Sequence, residues 1–178
     1  MTVLARWTIA EYHDMIRAGV LDRRRVELLR GDIYEMTPEE PSHSFYGGSL
    51  ADRFRHSLRD RALVREARPV TFSNSELEPD IAIVRGVWDD YRLRHPQPED
   101  IFLVVEISES SLNYDLELKR KVYATAIVPE YWVVDLKNRR VVVFREPKNG
   151  DYRSRSQVQE GAIVPLAFPD VEISVFEN

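Results

Sequence analysis

Three residues in this sequence stand where burial and charge meet. Glu106 follows five consecutive apolar residues, Ile101 to Val105, in the stretch IFLVVEIS. Asp80 follows Pro79 at the head of a second apolar run, IAIV. Lys119 lies in YDLELKRKVYA, between Leu116 and Tyr123 at i−3 and i+4. An unbroken apolar run reads as a strand covered on both faces. Glu106 therefore closes a central strand at its C-terminal end, where clefts in α/β sheets commonly open. If 80–84 and 101–106 pair antiparallel, the start of one lies beside the end of the other, and Asp80 becomes a neighbour of Glu106. Two adjacent carboxylates repel unless a proton or a cation lies between them. Oxygen ligands favour a hard divalent ion, Mg²⁺ or Mn²⁺.

The lysine adds a third group. At a helical spacing of 100° per residue, Leu116, Leu118, Val122, Tyr123, Ala126 and Ile127 form one apolar face with Lys119 near its centre. Arg120 falls to one flank, while Glu117 and Lys121 point to solvent. An unpaired ammonium in that position costs several kcal/mol, so Lys119 must meet carboxylates or a substrate phosphate. Unlike arginine, a partly buried lysine can also handle a water proton. Each residue has a structural reading of its own. Asp80 could start a strand, Glu106 could pair with an arginine, and Lys119 could snorkel to solvent.

The elements that must hold these groups follow from pattern. Residues 8–20 predict a helix capped by Thr8, with Glu11 at the capping-box position. RVELLRGDIYEM (25–36) predicts a hairpin turning at Arg30-Gly31-Asp32. Phe45, Leu50, Phe54 and Leu58 have helical spacing over 43–58, where Gly47-Gly48 implies close backbone packing or a frayed first turn. Residues 62–72 and 79–84 predict strands. The stretch 85–100, with Trp88 and Tyr91, is a long excursion of the kind used for binding. A helix over 111–126, capped by Asn113 or Asp115, follows the Glu106 strand. Residues 131–146 predict a hairpin turning near Lys137-Asn138, with Tyr131 and Trp132 in the core. The tail predicts one or two short edge strands. The order is that of a mixed α/β (α+β) domain spanning 1–178.

Composition narrows the class. The chain has 178 residues, 43% hydrophobic and 31% charged, with a net charge of −5, which fits a soluble globular domain and argues against nonspecific coating of nucleic acid. There is no cysteine, hence no disulfide framework and no thiolate metal site. No apolar run approaches the ~20 residues of a membrane span. The N-terminal stretch MTVLARWTIAEYHDMI carries acidic residues and no apolar h-region, so a cytoplasmic location is expected. His13, His56 and His95 show no ligand-like spacing, and Ser44 and Ser49 no nucleophile arrangement. Arg23-Arg24-Arg25 and Arg139-Arg140 read as solvated surface.

Pro79-Asp80, Glu106-Ile107-Ser108, YDLELKRKVYA and VPEYWVVD together resemble the Uma-two family, a branch of the PD-(D/E)xK, or restriction-endonuclease-like, superfamily. The resemblance runs from VELLRGDIYEM through His43 to the hairpin at 131–146. It implies a restriction-endonuclease-like core, a central mixed sheet flanked by helices with an N-terminal helix and hairpin. In the superfamily the lysine usually stands two residues after the acid; that position is Ser108 here, and Lys119 matches the lysine of this branch. The resemblance also implies a glutamate in the N-terminal hairpin (Glu27), a second acidic position there (Asp32), and a histidine before the first core helix (His43).

The implied activity is Mg²⁺- or Mn²⁺-dependent hydrolysis of DNA phosphodiester bonds. Asp80, Glu106 and the Ile107 carbonyl would hold the ion, Lys119 would act on the water, and Glu27 would complete the outer shell. A homodimer would allow both strands to be cut. The competing reading is a catalytically silent nuclease-like domain that only binds nucleic acid or protein. Acid/base carbohydrate chemistry by paired carboxylates leaves Lys119 unexplained.

Overall fold

The computed structural model describes residues 2–176. Helix α1 (Ile9–Arg17) starts at Thr8, whose side chain accepts from the Glu11 N–H while Glu11 accepts from the Thr8 N–H, a complete capping box. Strands β1 (Val26–Leu29) and β2 (Asp32–Glu35) form the N-terminal hairpin. Its two-residue turn has Arg30 at φ 54° and Gly31 at φ 82°, the left-handed pair that matches strand twist. A Cβ on Gly31 would meet Arg6 Cβ at 2.8 Å, because the N-terminal segment crosses there.

Helix α2 (Pro41–Leu58) starts with Pro41 in its first turn. It buries Leu50, Ala51, Phe54 and Leu58, whereas Phe45 is exposed. The Gly47-Gly48 pair neither frays it nor answers to tight packing: a Cβ on Gly47 would lie 3.9 Å from Ile107, and one on Gly48 would touch nothing within 4 Å. The strand expected over 62–72 is two: β3 (Leu63–Glu66) and β4 (Val70–Thr71), in different sheets. Ala67 at φ 44° and Pro69 break the run between them. Strands β5 (Glu76–Leu77), β6 (Ile81–Val84) and β7 (Ile101–Ser108) follow.

The excursion between β6 and β7 is ordered by two 3-10 turns. Tyr91 Oη donates to the Arg85 carbonyl at 2.7 Å, and Arg65 lies 5.3 Å from both the Trp88 and Tyr91 rings.

After β7 the helix expected over 111–126 is a π-helical turn, Tyr114–Lys119, running into α3 (Arg120–Thr125). No side chain caps it. The wider i→i+5 turn advances each residue by less than an α-helix does. Leu118, expected on the apolar face, is consequently exposed, and Ile127, expected there too, is exposed because it lies past the end of α3. Ile127 closes the helix at φ 61°, with the Val128 N–H donating to the Tyr123 carbonyl at 3.0 Å, a Schellman arrangement. A β-branched residue is strained there. Ile127→Gly is expected to stabilise the protein by about 1 kcal/mol, measured as an upward shift of the urea midpoint; a downward shift would contradict this account.

Strands β8 (Glu130–Asp135), β9 (Arg140–Lys148) and β10 (Asp151–Val158) form a meander. The second turn is Asn149-Gly150, at φ 54° and 78°, so the sequence hairpin is longer by one strand than expected. The tail contributes β11 (Ala162–Ile163) paired with β12 (Ile173–Ser174).

The main sheet has the order β10-β9-β8-β7-β6-β3, and only the β7–β8 pair is parallel. On one face α2 packs with Ile81, Ile83, Leu103, Val105 and Trp132. On the other, Val104, Tyr131 and Val133 cluster with Val122 and Tyr123 of α3 and with Leu29 and Leu77 of the small β2-β1-β5-β4 sheet. Both faces of β7 are covered, which accounts for its unbroken apolar run. Alternation along β7 then sends Glu106 to the Val104 side, toward α3 and the N-terminal hairpin.

Candidate metal and nuclease centre

Four elements deliver charged side chains to one cavity of about 360 Å³. Register places the first two: Ile81 pairs with Val105, so Asp80 and Glu106 flank the same end of the β6–β7 ladder. The Ile107 N–H donates to Asp80 Oδ2 at 2.6 Å, fixing that carboxylate against the strand. β1 contributes Glu27, and the helix after β7 contributes Lys119 and Asp115; all five residues line the cavity.

Lys119 Nζ lies 3.0 Å from Glu106 Oε1, 3.5 Å from Glu27 Oε1 and 4.0 Å from Asp115 Oδ1. Tyr123 Oη donates to Glu106 Oε1 at 2.7 Å, and Tyr114 Oη to Glu27 Oε1 at 2.9 Å. Glu27, Glu106, Asp115 and Lys119 are all at most 4% exposed. Burial favours the neutral lysine, but Glu106, Glu27, Asp115 and Asp80 outweigh it and hold the ammonium well above its ordinary pKa. Burial pushes the Glu106 carboxyl well up, with Lys119 opposing and Asp80, Asp115 and Glu27 adding to the rise. Burial likewise raises Asp115, against Lys119, Ser111 and Ser108. Glu27 Oε2 is buried with no hydrogen-bond partner, unusual for a carboxylate oxygen.

His43 lies inside the first turn of α2 rather than before the helix. Its Nε2 is 3.1 Å from Asp80 Oδ2. Burial lowers its proton affinity, yet Asp80, Glu39 and Asp115 raise it overall. Arg25, expected on the surface, lines the cavity and pairs with Glu39 at 2.5 Å. Asp32 does not join the site; it pairs with Arg6 at 2.7 Å. Neither does the 85–100 excursion, none of whose residues lines this cavity.

Sequence reasoning missed Asp115, Tyr114 and Glu39. Asp115, expected as a cap, instead accepts from Ser108 Oγ at 2.7 Å and Ser111 Oγ at 2.6 Å. Ser108, where the superfamily usually has lysine, thus orients an acid of the same cavity.

The fold is thus a mixed sheet with two parallel strands and helices on its faces, and an acidic, lysine-bearing cavity opens at a strand end. A crystal structure from Anabaena variabilis ATCC 29413, described as "a putative nuclease belonging to DUF820", has the same fold: TM-score 0.69, 15% identity, covering 85% of this chain and 88% of that one. The Uma2 family, described as "Putative restriction endonuclease", matches residues 9–175, and the chain belongs to it. No curated relative matches the sequence.

Proposed function

We propose that this chain is a metal-dependent endonuclease that hydrolyses phosphodiester bonds in DNA, with Asp80, Glu106 and the Ile107 carbonyl as ligands of a divalent cation. The observation that carries the reading is the convergence of Asp80, Glu106, Glu27 and Lys119 on one cavity. The donor set fits a hard cation: buried carboxylates outnumber the local cations, and Glu27 Oε2 has no partner. A bound divalent ion would polarise the scissile phosphate and lower the pKa of a water.

The chain's own groups supply the rest. Lys119, held protonated by four carboxylates, acts as a fixed positive charge and donor toward developing negative charge on the phosphoryl oxygens. That geometry favours orientation and charge stabilisation over removal of the water proton. Glu27 Oε2 is the open acceptor that would hold the attacking water, and Tyr114 fixes the carboxylate by its other oxygen. The Ile107 N–H keeps Asp80 in place on a strand that burial makes rigid.

The test is supercoiled plasmid incubated with the purified chain and Mg²⁺ or Mn²⁺. Nicked and linear products are expected, and none with EDTA. Metal-independent cleavage would sink the metal mechanism. No cleavage, with binding of DNA retained, would favour a binding module.

A further inference from the structure

Outside the cavity, Arg65 of β3 is a buried guanidinium with no acidic partner. It is 4% exposed, in a chain whose 30 acidic residues outnumber its 25 basic ones, yet among the described residues no carboxylate pairs with it. Its Nε is buried without a hydrogen bond, and its Nη2 reaches the Pro69 carbonyl only at 3.4 Å. Buried arginines are ordinarily paired. Burial, opposed by Tyr91 and reinforced by Arg68, pulls the guanidinium below its ordinary pKa, as for a charge whose counter-ion must come from solution. What lies against it is aromatic. The guanidinium carbon sits 5.3 Å from the centres of both the Trp88 and Tyr91 rings, and Trp88 is still 56% exposed. Two acids of this excursion are already engaged: Asp90 accepts from the Val87 N–H at 2.8 Å, and Asp100 pairs with Arg94 at 2.5 Å.

Register sets this group beside the cavity. Arg65 pairs with Ala82, and Ala82 with Val104, two residues before Glu106. Cross-strand partners share a face, so Arg65 and Glu106 stand on the same side of the main sheet. Their Cα atoms are about 12 Å apart, from ~4.8 Å between strands and ~3.3 Å per residue. The Ala67 N–H donates to the Asp80 carbonyl at 3.2 Å, so the turn that carries the exposed Arg68 adjoins the head of β6. We infer that Trp88, Arg65 and Arg68 dock a single strand of DNA, with an unpaired base stacked on the Trp88 ring, a neighbouring phosphate against Arg68, and the charge of Arg65 behind them. The occupant follows from the chemistry. A guanidinium without a counter-ion calls for an anion, an exposed indole for a flat ring, and a nucleotide strand carries both. A base inside a duplex keeps its faces stacked on its neighbours and has none to give Trp88. The surface rests on its own residues; that the bound strand leads into the cavity rests on the nuclease reading. On that reading the preferred substrate has an unpaired arm beside the bond to be cut, as in a fork, a flap or a frayed end.

Fluorescence anisotropy of a labelled thymidine oligonucleotide, titrated with the full-length protein in EDTA, tests the surface without cleavage. Wild type is expected to bind, Trp88→Ala to bind about tenfold more weakly or worse, and Trp88→Phe to recover part of the loss. Arg68→Gln is expected to flatten the dependence of log K on log salt by about 0.7, the share of one phosphate contact on a single strand. A blunt duplex of equal length is expected to bind less tightly and to be indifferent to Trp88→Ala. Both substituted side chains are exposed, and thermal melts of each variant guard against a folding defect. No binding of the oligonucleotide, binding that Trp88→Ala leaves unchanged, or a loss equal for duplex and single strand overturns the inference. Cleavage of forked and blunt duplexes with Mn²⁺ then separates it from the nuclease reading. Cutting by wild type, with oligonucleotide binding indifferent to Trp88→Ala, removes the docking surface alone. Trp88-dependent binding with no cutting of either duplex upholds the surface and removes the nuclease reading.

Discussion

Lys119→Met is expected to destabilise the metal-free protein by about 3–5 kcal/mol at neutral pH, and to make its stability fall as pH rises. Methionine fits the space of the lysine stem, so the loss comes from charge and not from a cavity. Lys119 is the ammonium within 4.0 Å of Glu106, Glu27 and Asp115. Without it three buried carboxyls face one another. Burial already raises Glu106 and Asp115, and Lys119 is the main influence opposing it; its removal raises them further.

The sign follows. A carboxyl whose folded pKa exceeds its unfolded value binds a proton more tightly in the native state. Stability is then highest below the ordinary values, 4.5 for Glu106 and 3.8 for Asp115, and is lost as pH climbs through the raised ones. Lys119 in the wild type follows the same sign at the alkaline end: its contribution is complete below 10.5 and is lost only as pH rises through its raised folded value. Urea melts of both proteins at pH 5 and pH 8 are the measurement. An equal loss at both pH values would show that Lys119 acts through packing alone.

The same cluster shows which parts of the site a sequence can reveal. Asp80 and Glu106 were legible because a strand buried on both faces leaves a plain signature, and because antiparallel pairing of two such strands fixes which ends meet. Lys119 was legible because an ammonium amid Leu116, Val122 and Tyr123 contradicts hydrophobic patterning. Asp115 was not. A polar residue at a helix start is ordinarily a cap, and nothing in SLNYD announces the π turn that directs Asp115 toward Ser108 and Lys119. The same turn exposes Leu118, which an α-helical wheel would bury.

Strand boundaries failed for a related reason. The run 62–72 has strand character throughout, yet Ala67 adopts φ 44° and the chain changes sheet. A residue other than glycine in that conformation carries no compositional mark. Asn149-Gly150 did carry one, and read as a turn it would have extended the hairpin at 131–146 into the β8–β9–β10 meander. Glu39 was invisible for a third reason. It joins the site only through His43, and the proximity of His43 to Asp80, 37 residues away, is a property of the sheet and α2 packed together.

Glu106→Gln is expected to separate stability from activity in one substitution. The amide is isosteric with the carboxylate, and its oxygen still accepts from Lys119 and Tyr123, which now donate at 3.0 and 2.7 Å. One of four acids is removed, while Glu27 and Asp115 remain near the ammonium. Since burial holds the Glu106 carboxyl well above its ordinary pKa, its ionised form opposes folding at neutral pH. The glutamine variant should therefore be at least as stable as the wild type in the absence of metal. The unsatisfied amide protons limit the gain to about 1 kcal/mol. Cleavage should fall by roughly 10³-fold or more, since a cation's transition-state stabilisation is worth several kcal/mol. A metal-binding carboxylate kept at the expense of the fold is the behaviour of a functional acid; a structural one would give the reverse. Thermal melts of the stripped protein and single-turnover cleavage with Mn²⁺ decide between them. A destabilised variant that still cuts plasmid at the wild-type rate would make Glu106 a partner of Lys119 and nothing more.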